Sequence, residues 1–567
     1  MKKLLIILLL GSILSAIDIE KYQQNIVKDY KKYKRDMGDN TTTYITKTIY
    51  ETNYQAKQLL DSAKFEKNPY PLIKKAFDIH NHMQENIFAI FDYKQQQRYI
   101  KEHKKYIYAL FKTTHTYQDI QSTFNRWLNY KRTLFNRENI LLSNKIMRAK
   151  KRIINKKRQE LASAYQQKSI DKTKIKKLKQ DIENFERSLS MDISTIPKSY
   201  INYQQISAIL KPNELYIDFA KIENLYYLFI LDSNNHIIFK RLNSTSIDST
   251  IKNIQRENHK IIDGDFADLN IAKNLYGKLY NLIIKNIDLK NKNSLIISPD
   301  GLLNLIPFEA FYHNKKYLIE NIDIHYTPSG KELLKLYYNK SLSSSQIIVF
   351  ANPNFQTNQK SYKRGAIFEK LTPTFDSLDG SIIEANSIKH YFPNAKILYQ
   401  KRASEKNLLN TISPKILHLS THGFFIKDSS ILNPMLKSGI VLSGANSSII
   451  NKSGDGIITA LELSRLNLKG TKLVVLSACE TGVGEIQEAQ GVAGINRAFM
   501  SAGAKRVIMS LWSVSDMATS WLMKEFYKNL SKNMSYSSAL ANAKRSMIKN
   551  RNSHPYYWSG FIESGVD

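Results

Sequence analysis

Ile416-Leu-His-Leu-Ser-Thr-His422-Gly423 and Leu473-Val-Val-Leu-Ser-Ala-Cys479-Glu-Thr-Gly482-Val-Gly484 decide how this chain of 567 residues is read. Each is a short apolar run that breaks into a glycine-flanked turn, the pattern of a strand buried on both faces. In an open α/β sheet, sites form outside the carboxyl ends of the strands. That rule puts His422 and Cys479 where chemistry is done, and if the two strands are neighbours their imidazole and thiol converge. A thiol of ordinary pKa is only a few per cent thiolate at neutral pH, and a nearby imidazole supplies the base that raises the fraction. Glycines let backbone amides approach a developing oxyanion, so the amides of Gly423 and Cys479 are the candidates for that hole. His418 is a rival base, because alternation places it on the same face as His422. It lies deeper in the strand, where a hydrogen-bonded core histidine is the plainer reading. Spacing alone leaves open a third arrangement, a core cysteine with an unrelated histidine.

Outward from these runs, strand and helix signals alternate. Ser294–Ser298, Gln346–Phe350, Lys396–Tyr399, Lys415–Ser420, Lys472–Ala478 and Arg506–Ser510 read as short buried strands. Ile383–Tyr391, Gly491–Ala502 and Met517–Asn529 read as the helices between them. This order predicts an α/β sandwich around a largely parallel sheet. Upstream, Leu215–Ala220, Tyr226–Leu231 and His236–Lys240 read as further strands, the last two joined by a turn at Asp232-Ser-Asn-Asn235. Residues from about 18 to 195 read as helix, with Tyr70, Leu72, Ile73, Ala76, Phe77 and Ile79 at three- and four-residue spacing. Gly38 is the only glycine between Gly11 and Gly264. No repeat of fixed period is found, which leaves degenerate tetratricopeptide-like helix pairs or long helices.

Composition narrows the classes. The chain has 83 basic and 50 acidic residues, and 40 of the basic against 20 of the acidic fall in residues 1–200. Arg126–Lys179 alone holds 18 basic and three acidic residues. A solvated helical face accounts for that run, and the functional alternative is a patch for an acidic partner or an anionic membrane. No nucleic-acid motif accompanies it, so nucleic acid is not expected as a partner. One cysteine, Cys479, excludes an intrachain disulfide and any multi-thiolate metal site. His, Asp and Glu do not recur at ligand spacing either, and neither metal nor cofactor is expected. At the start, Lys2-Lys3 precede an apolar run from Leu4 to Leu14 that ends in Ser15-Ala16. This is the form of a signal peptide over residues 1–16, which implies a periplasmic or secreted protein. The apolar stretch Leu4–Ile17 falls short of the ~20 residues that span a bilayer. Leu14 stands where a small residue is preferred for cleavage, so an uncleaved inner-membrane anchor is the alternative; without a cysteine there, a lipoprotein is excluded.

The chain also resembles a known family. The stretches that carry the likeness include Ser298-Pro-Asp-Gly-Leu-Leu-Asn-Leu-Ile-Pro-Phe-Glu309, Asn433-Pro-Met-Leu-Lys-Ser-Gly-Ile-Val-Leu442 and Asp455-Gly-Ile-Ile-Thr-Ala-Leu-Glu462. Leu476-Ser-Ala-Cys-Glu-Thr-Gly482, Ser510-Leu-Trp-Ser-Val-Ser-Asp516 and His554-Pro-Tyr-Tyr-Trp558 continue it. Together they resemble the CHAT domain family, caspase-like cysteine peptidases of the clan of caspases and separases. The likeness covers about 200–567 and is densest from 415 to 516. It implies a caspase–haemoglobinase-like α/β sheet flanked by helices, with residues 197–567 as the peptidase domain (core 290–567). Residues 17–196 are then an all-α domain that presents substrates or protein partners. In that family His422 would be the general base and Cys479 the nucleophile of an endopeptidase acting on proteins or peptides. Clan relatives often select a charged residue before the cut, and Asp455 and Asp516 stand in matching blocks as candidates for a basic-residue pocket. For both, a local role, an Asp-Gly turn and a helix start, is the plainer reading. The alternative to an enzyme is a latent or non-enzymatic module acting as an interaction scaffold in the cell envelope. A membrane contact through the signal segment or the basic run is the remaining partner expectation.

Overall fold

A computed structural model describes residues 54–87, 93–131, 200–265, 267–338, 344–356, 375–426, 434–450, 456–477, 485–487, 491–550 and 553–565, with isolated positions between 149 and 188. The expected signal segment and most of the basic run Arg126–Lys179 lie outside the described residues. Of the cations in that run that are described, Arg126, Lys131 and Lys157 each pair with an aspartate, Asp78, Asp218 and Asp181.

The N-terminal part of the described residues contains helices α1 (Tyr70–Ile87), α2 (Tyr93–Tyr117) and α3 (Ile120–Tyr130). Helix α3 starts where Asp119 accepts the Ser122 N–H on its side chain, the usual way to satisfy a first-turn amide. Strands β1 (Glu214–Ile222), β2 (Leu225–Leu231), β3 (Ile237–Asn243) and β4 (Ser294–Ser298) follow. A small ladder of β5 (Tyr312–His313) and β6 (Lys316–Tyr317) precedes β7 (Asp323–Tyr326). Then come β8 (Ile347–Ala351), β9 (Lys396–Tyr399) and β10 (Ile416–Ser420). A separate antiparallel sheet is made by β11 (Gly423–Phe425), β12 (Ser438–Val441) and β13 (Ile457–Thr459). The last strands are β14 (Leu473–Ser477), the ladder of β15 (Glu485–Gln487) and β16 (Gly491–Ala493), β17 (Val507–Ser510) and β18 (Phe561–Ser564). The longer helices between and after the strands are α4 (Ser244–Ile262), α5 (Leu269–Leu279), α6 (Gly330–Tyr338), α7 (Asp379–Tyr391), α8 (Ile495–Ala502), α9 (Asp516–Ser531) and α10 (Tyr536–Asn550).

Eleven of these strands form one sheet in the order β3-β2-β1-β4-β7-β18-β17-β14-β10-β8-β9. The hairpins β1–β2–β3 and the pair β17–β18 are antiparallel, and every other neighbouring pair is parallel. The mixed sheet flanked by helices is the fold class the sequence implies. Strands β4, β8, β10 and β14 are buried at every residue, as central parallel strands covered on both faces must be. The edge strand β3 is half-exposed along most of its length. One expected helix is corrected: Gly491–Ala493 is strand β16, and the helix starts only after Gly494, at Ile495–Ala502. Glycines at both ends of Gly491-Val-Ala-Gly494 disfavour helix there. The helix stops at Gly503, where φ is +109° and a Cβ would lie 2.9 Å from the Lys469 backbone.

Strand β1 shows why the N-terminal helices dock where they do. Leu215, Ile217 and Phe219 enter the main core, while Tyr216, Ala220 and Ile222 enter a second core shared with α1–α3. Aromatic rings fill that interface: Phe124 stacks on Phe229 with centroids 4.4 Å apart, and Phe111 meets Tyr227 edge-on at 5.0 Å. At its base, Lys131 is 1 % exposed and Asp218 fully buried. The ammonium lies 2.7 Å from Asp218 Oδ1 and also donates to the Ser298 hydroxyl and the Phe219 carbonyl. Trp127 Nε1 and the Tyr216 hydroxyl donate to the same carboxylate. Burial and the Asp218 charge hold the Tyr216 phenol well above its usual pKa, so it stays a donor.

Removing one partner of such a pair strands the other charge in the interior. Lys131→Met is therefore expected to destabilise the protein by about 3–5 kcal/mol, read from urea denaturation followed through tryptophan fluorescence. A loss within about 0.5 kcal/mol of zero would show that the pair does not hold the helices to the sheet.

Candidate active site

Strands β10 and β14 are parallel neighbours, paired from Ile416 with Leu473 to Ser420 with Ser477. The contact runs one residue further, where the Thr421 N–H donates to the Ser477 carbonyl at 3.2 Å. Two residues past these strand ends the sequence carries His422 on one and Cys479 on the other. Cys479 and the stretch 478–484 lie outside the described residues, as does Asp455.

His422 is held between the large sheet and the small one. Its carbonyl accepts the Val441 N–H at 3.0 Å, and the hydroxyl of Thr421 donates to the Val441 carbonyl. The C=O and N–H of one trans peptide point in opposite directions, so the N–H of Gly423 is directed away from β12. That is the direction a donor to an oxyanion would need to take in order not to be spent on the ladder.

The imidazole is half-buried between Phe355 and Phe375, with ring centroids 5.4 Å and 5.5 Å away. Nε2 lies 2.8 Å from the carbonyl oxygen of Asp376. A carbonyl only accepts, so Nε2 is the donor in this contact, and Nδ1 is the ring nitrogen left to other partners. The ring is thereby oriented by a backbone carbonyl, in the place where a side chain could otherwise hold it. Neither Phe355, Phe375 nor Asp376 is a residue that sequence reasoning picks out. A backbone carbonyl leaves no mark on residue type, and two phenylalanines read as ordinary core.

The rival base is elsewhere. His418 is fully buried, with Nδ1 3.0 Å from the Tyr527 hydroxyl and Nε2 2.9 Å from Glu384 Oε2. Both ring nitrogens are engaged in the interior, so the core reading describes it. Asp516 opens helix α9 (Asp516–Ser531), and its carboxylate accepts the Gly380 N–H at 2.6 Å in the first turn of helix α7 (Asp379–Tyr391). With Thr421 and Ser477 it lines a cavity of about 30 Å³. Among the described residues no group of three His, Cys, Asp or Glu side chains could hold a metal ion, and no helix is long and apolar enough to cross a membrane.

Comparison with known proteins adds the following. The model of the CHAT domain matches residues 270–566. Tetratricopeptide repeat protein 28 of Homo sapiens is 24% identical over 306 residues, which are 48% of this chain and 12% of that protein. The Mus musculus protein of the same name is 35% identical over 112 residues, 20% of this chain and 4% of its own. The chain thus spans a small part of the curated relatives it matches. Among solved structures, the separase–securin complex of Saccharomyces cerevisiae covers 94% of this chain and 42% of its own, with TM-score 0.48 and 10% identity. The Arg-specific cysteine proteinase gingipain R covers 53% and 67%, with TM-score 0.34 and 10% identity.

The small sheet that carries His422 tolerates no side chain at Gly439, where a Cβ would lie 2.2 Å from the Ile458 carbonyl oxygen and 2.5 Å from the Phe424 ring. Gly439→Ala is expected to cost ~1–3 kcal/mol through that overlap, measured by chemical denaturation. An unchanged midpoint would mean that β11–β13 gives way easily and does not fix the histidine.

Proposed function

This chain belongs to the CHAT domain family, and from that footing we propose that it is a cysteine endopeptidase working through Cys479 and His422. The observation that carries the proposal is the setting of His422. Its ring is tied through Nε2 to the Asp376 carbonyl, one residue beyond the point where β10 still hydrogen-bonds to the end of β14. Cys479 comes two residues after Ser477 on that neighbouring strand.

In the proposed reaction Nδ1 of His422 takes the thiol proton of Cys479, and the sulfur attacks the scissile carbonyl carbon. The oxyanion that forms accepts from the N–H of Gly423 and the N–H of Cys479. When the C–N bond breaks, the imidazolium returns its proton to the leaving amine and a thioester remains. Water, deprotonated by the same imidazole, attacks the thioester and regenerates the thiol. The helices α1–α3, docked on the outer face of β1–β3, are proposed to offer the surface for substrates or protein partners. The charged and apolar start of the chain, from Lys2 to Ala16, supports export from the cytoplasm.

Because Cys479 is the sole cysteine, a thiol-reactive probe reports on it alone. Labelling near neutral pH is expected to slow at least ~10-fold in His422→Ala, since the unassisted thiol has a pKa of ~8.5. Peptide-library cleavage is expected to vanish in Cys479→Ala while the fold stands. Cleavage that survives this substitution would defeat the peptidase reading. A thiol that labels as slowly in the wild type as in His422→Ala would instead favour the latent, scaffold form of the domain.

A further inference from the structure

Beneath the two strand ends lies a buried polar group that the proposed reaction does not use. Glu384, on the second turn of α7, is 1 % exposed. Its two carboxylate oxygens go to different strands. Oε2 lies 2.9 Å from Nε2 of His418 on β10, and Oε1 accepts the hydroxyl of Ser477, the last residue of β14, at 2.8 Å. On its other side His418 meets the Tyr527 hydroxyl of α9 at 3.0 Å. One set of protons satisfies all four groups: Tyr527 donates to Nδ1, Nε2–H donates to Glu384, and Ser477 donates to Glu384. Burial, with the Glu384 charge nearby, keeps the Tyr527 phenol well above its usual pKa and so in the donating form.

The same helix grips the neighbouring strand ends through its first turn. The Ser381 hydroxyl donates to the Ser420 carbonyl at 3.1 Å and accepts the Asn352 N–H, just past β8, at 2.8 Å. Gly380 is tied to Asp516 by its N–H. The carboxyl ends of β8, β10 and β14 are therefore fastened to one rigid element by directed hydrogen bonds. A buried carboxylate carries a desolvation cost that an apolar side chain of the same volume avoids, so bulk stability gives no reason for it here.

We propose that Glu384 is a positioning residue: by holding His418 of β10 and Ser477 of β14 on its two oxygens, it fixes the relative placement of the strand ends from which His422 and Cys479 follow. This rests on the Cys479–His422 reading given above. A shift of the order of 1 Å between reacting groups costs about two orders of magnitude in rate, so a single lost tie is expected to cost ~10-fold.

The test is the pH profile of Cys479 alkylation by iodoacetamide in the full chain, for wild type, Ser477→Ala, Ser477→Thr, Glu384→Leu and His422→Ala. Ser477→Ala removes only the hydroxyl tie and keeps the fold testable if Glu384→Leu does not accumulate. The expected result is a ~10-fold slower reaction at neutral pH in Ser477→Ala, converging on the wild-type rate at high pH where the thiol is ionised without help. Ser477→Thr, which keeps the hydroxyl, restores the neutral rate. A Ser477→Ala profile that overlies the wild type while His422→Ala is slow overturns the positioning role and leaves the Cys–His pair intact. Faster labelling of Ser477→Ala at every pH also overturns it, because a loosened fold rather than a misplaced pair is then responsible. If His422→Ala itself overlies the wild type, the Cys–His reading fails and the role of Glu384 falls with it.

Discussion

The pairing of β10 with β14 is the constraint on which the site depends. Two parallel strands in register, Ser420 opposite Ser477, bring residues 57 positions apart in sequence to a common edge. Parallel pairing cannot be made by a hairpin. It needs a crossover, and here the crossover contains the whole small sheet β11–β13. That sheet is then placed to hold the histidine that the first strand delivers, through the His422 carbonyl and Val441 N–H. Scaffold and site are produced by the same topological requirement.

The large sheet consists of two halves that meet at β18. On one side stand β3-β2-β1-β4-β7, on the other β17-β14-β10-β8-β9. Between them, Phe561–Ser564 runs antiparallel to β17 and parallel to β7. Nearly the last described residues of the chain thus complete the middle of the sheet, a long-range contact that is slow to form and costly in loop entropy. Its Glu563 is buried and lies 3.4 Å from Arg506 of the adjoining segment, so even this central strand carries a charge that has to be neutralised.

Much of the central sheet was legible because buried parallel strands read as continuous apolar runs. Leu473-Val-Val-Leu and Ser294-Leu-Ile-Ile are examples, and the structure places strands there within a residue of the expected bounds. Strands β7 and β18 were not legible. Asp323-Ile-His-Tyr and Phe561-Ile-Glu-Ser are four residues each and contain a charge, which local pattern assigns to loops. Tertiary pairing overrides that preference. The histidine of the site could be found from its place after a strand and before Gly423. What orients it, the Asp376 carbonyl, comes from a loop 46 residues upstream and is independent of side-chain type. The setting of His418 was open on alternation alone: α7 and α9 bring Glu384 and Tyr527 onto the deeper ring and engage both of its nitrogens.

Among the described residues, buried polar groups that join elements distant in sequence include Lys131 with Asp218 and Ser298, Lys544 with Glu309 and Tyr326, and Glu384 with His418 and Ser477. Dispersion and hydrophobic burial are large but have no direction, and a core held by them alone accepts small slips between layers. A buried hydrogen bond is worth little net, yet leaving it unmade costs the full desolvation of the stranded group. That asymmetry turns each of these groups into a lock on geometry rather than a source of stability. The first fixes helix against sheet and the second fixes helix α10 (Tyr536–Asn550) against the segment around β7. The first also joins two adjacent strands, β1 and β4, and the third joins β10 and β14 near their carboxyl ends, the region of an open α/β sheet where sites form and where placement of reacting groups matters most.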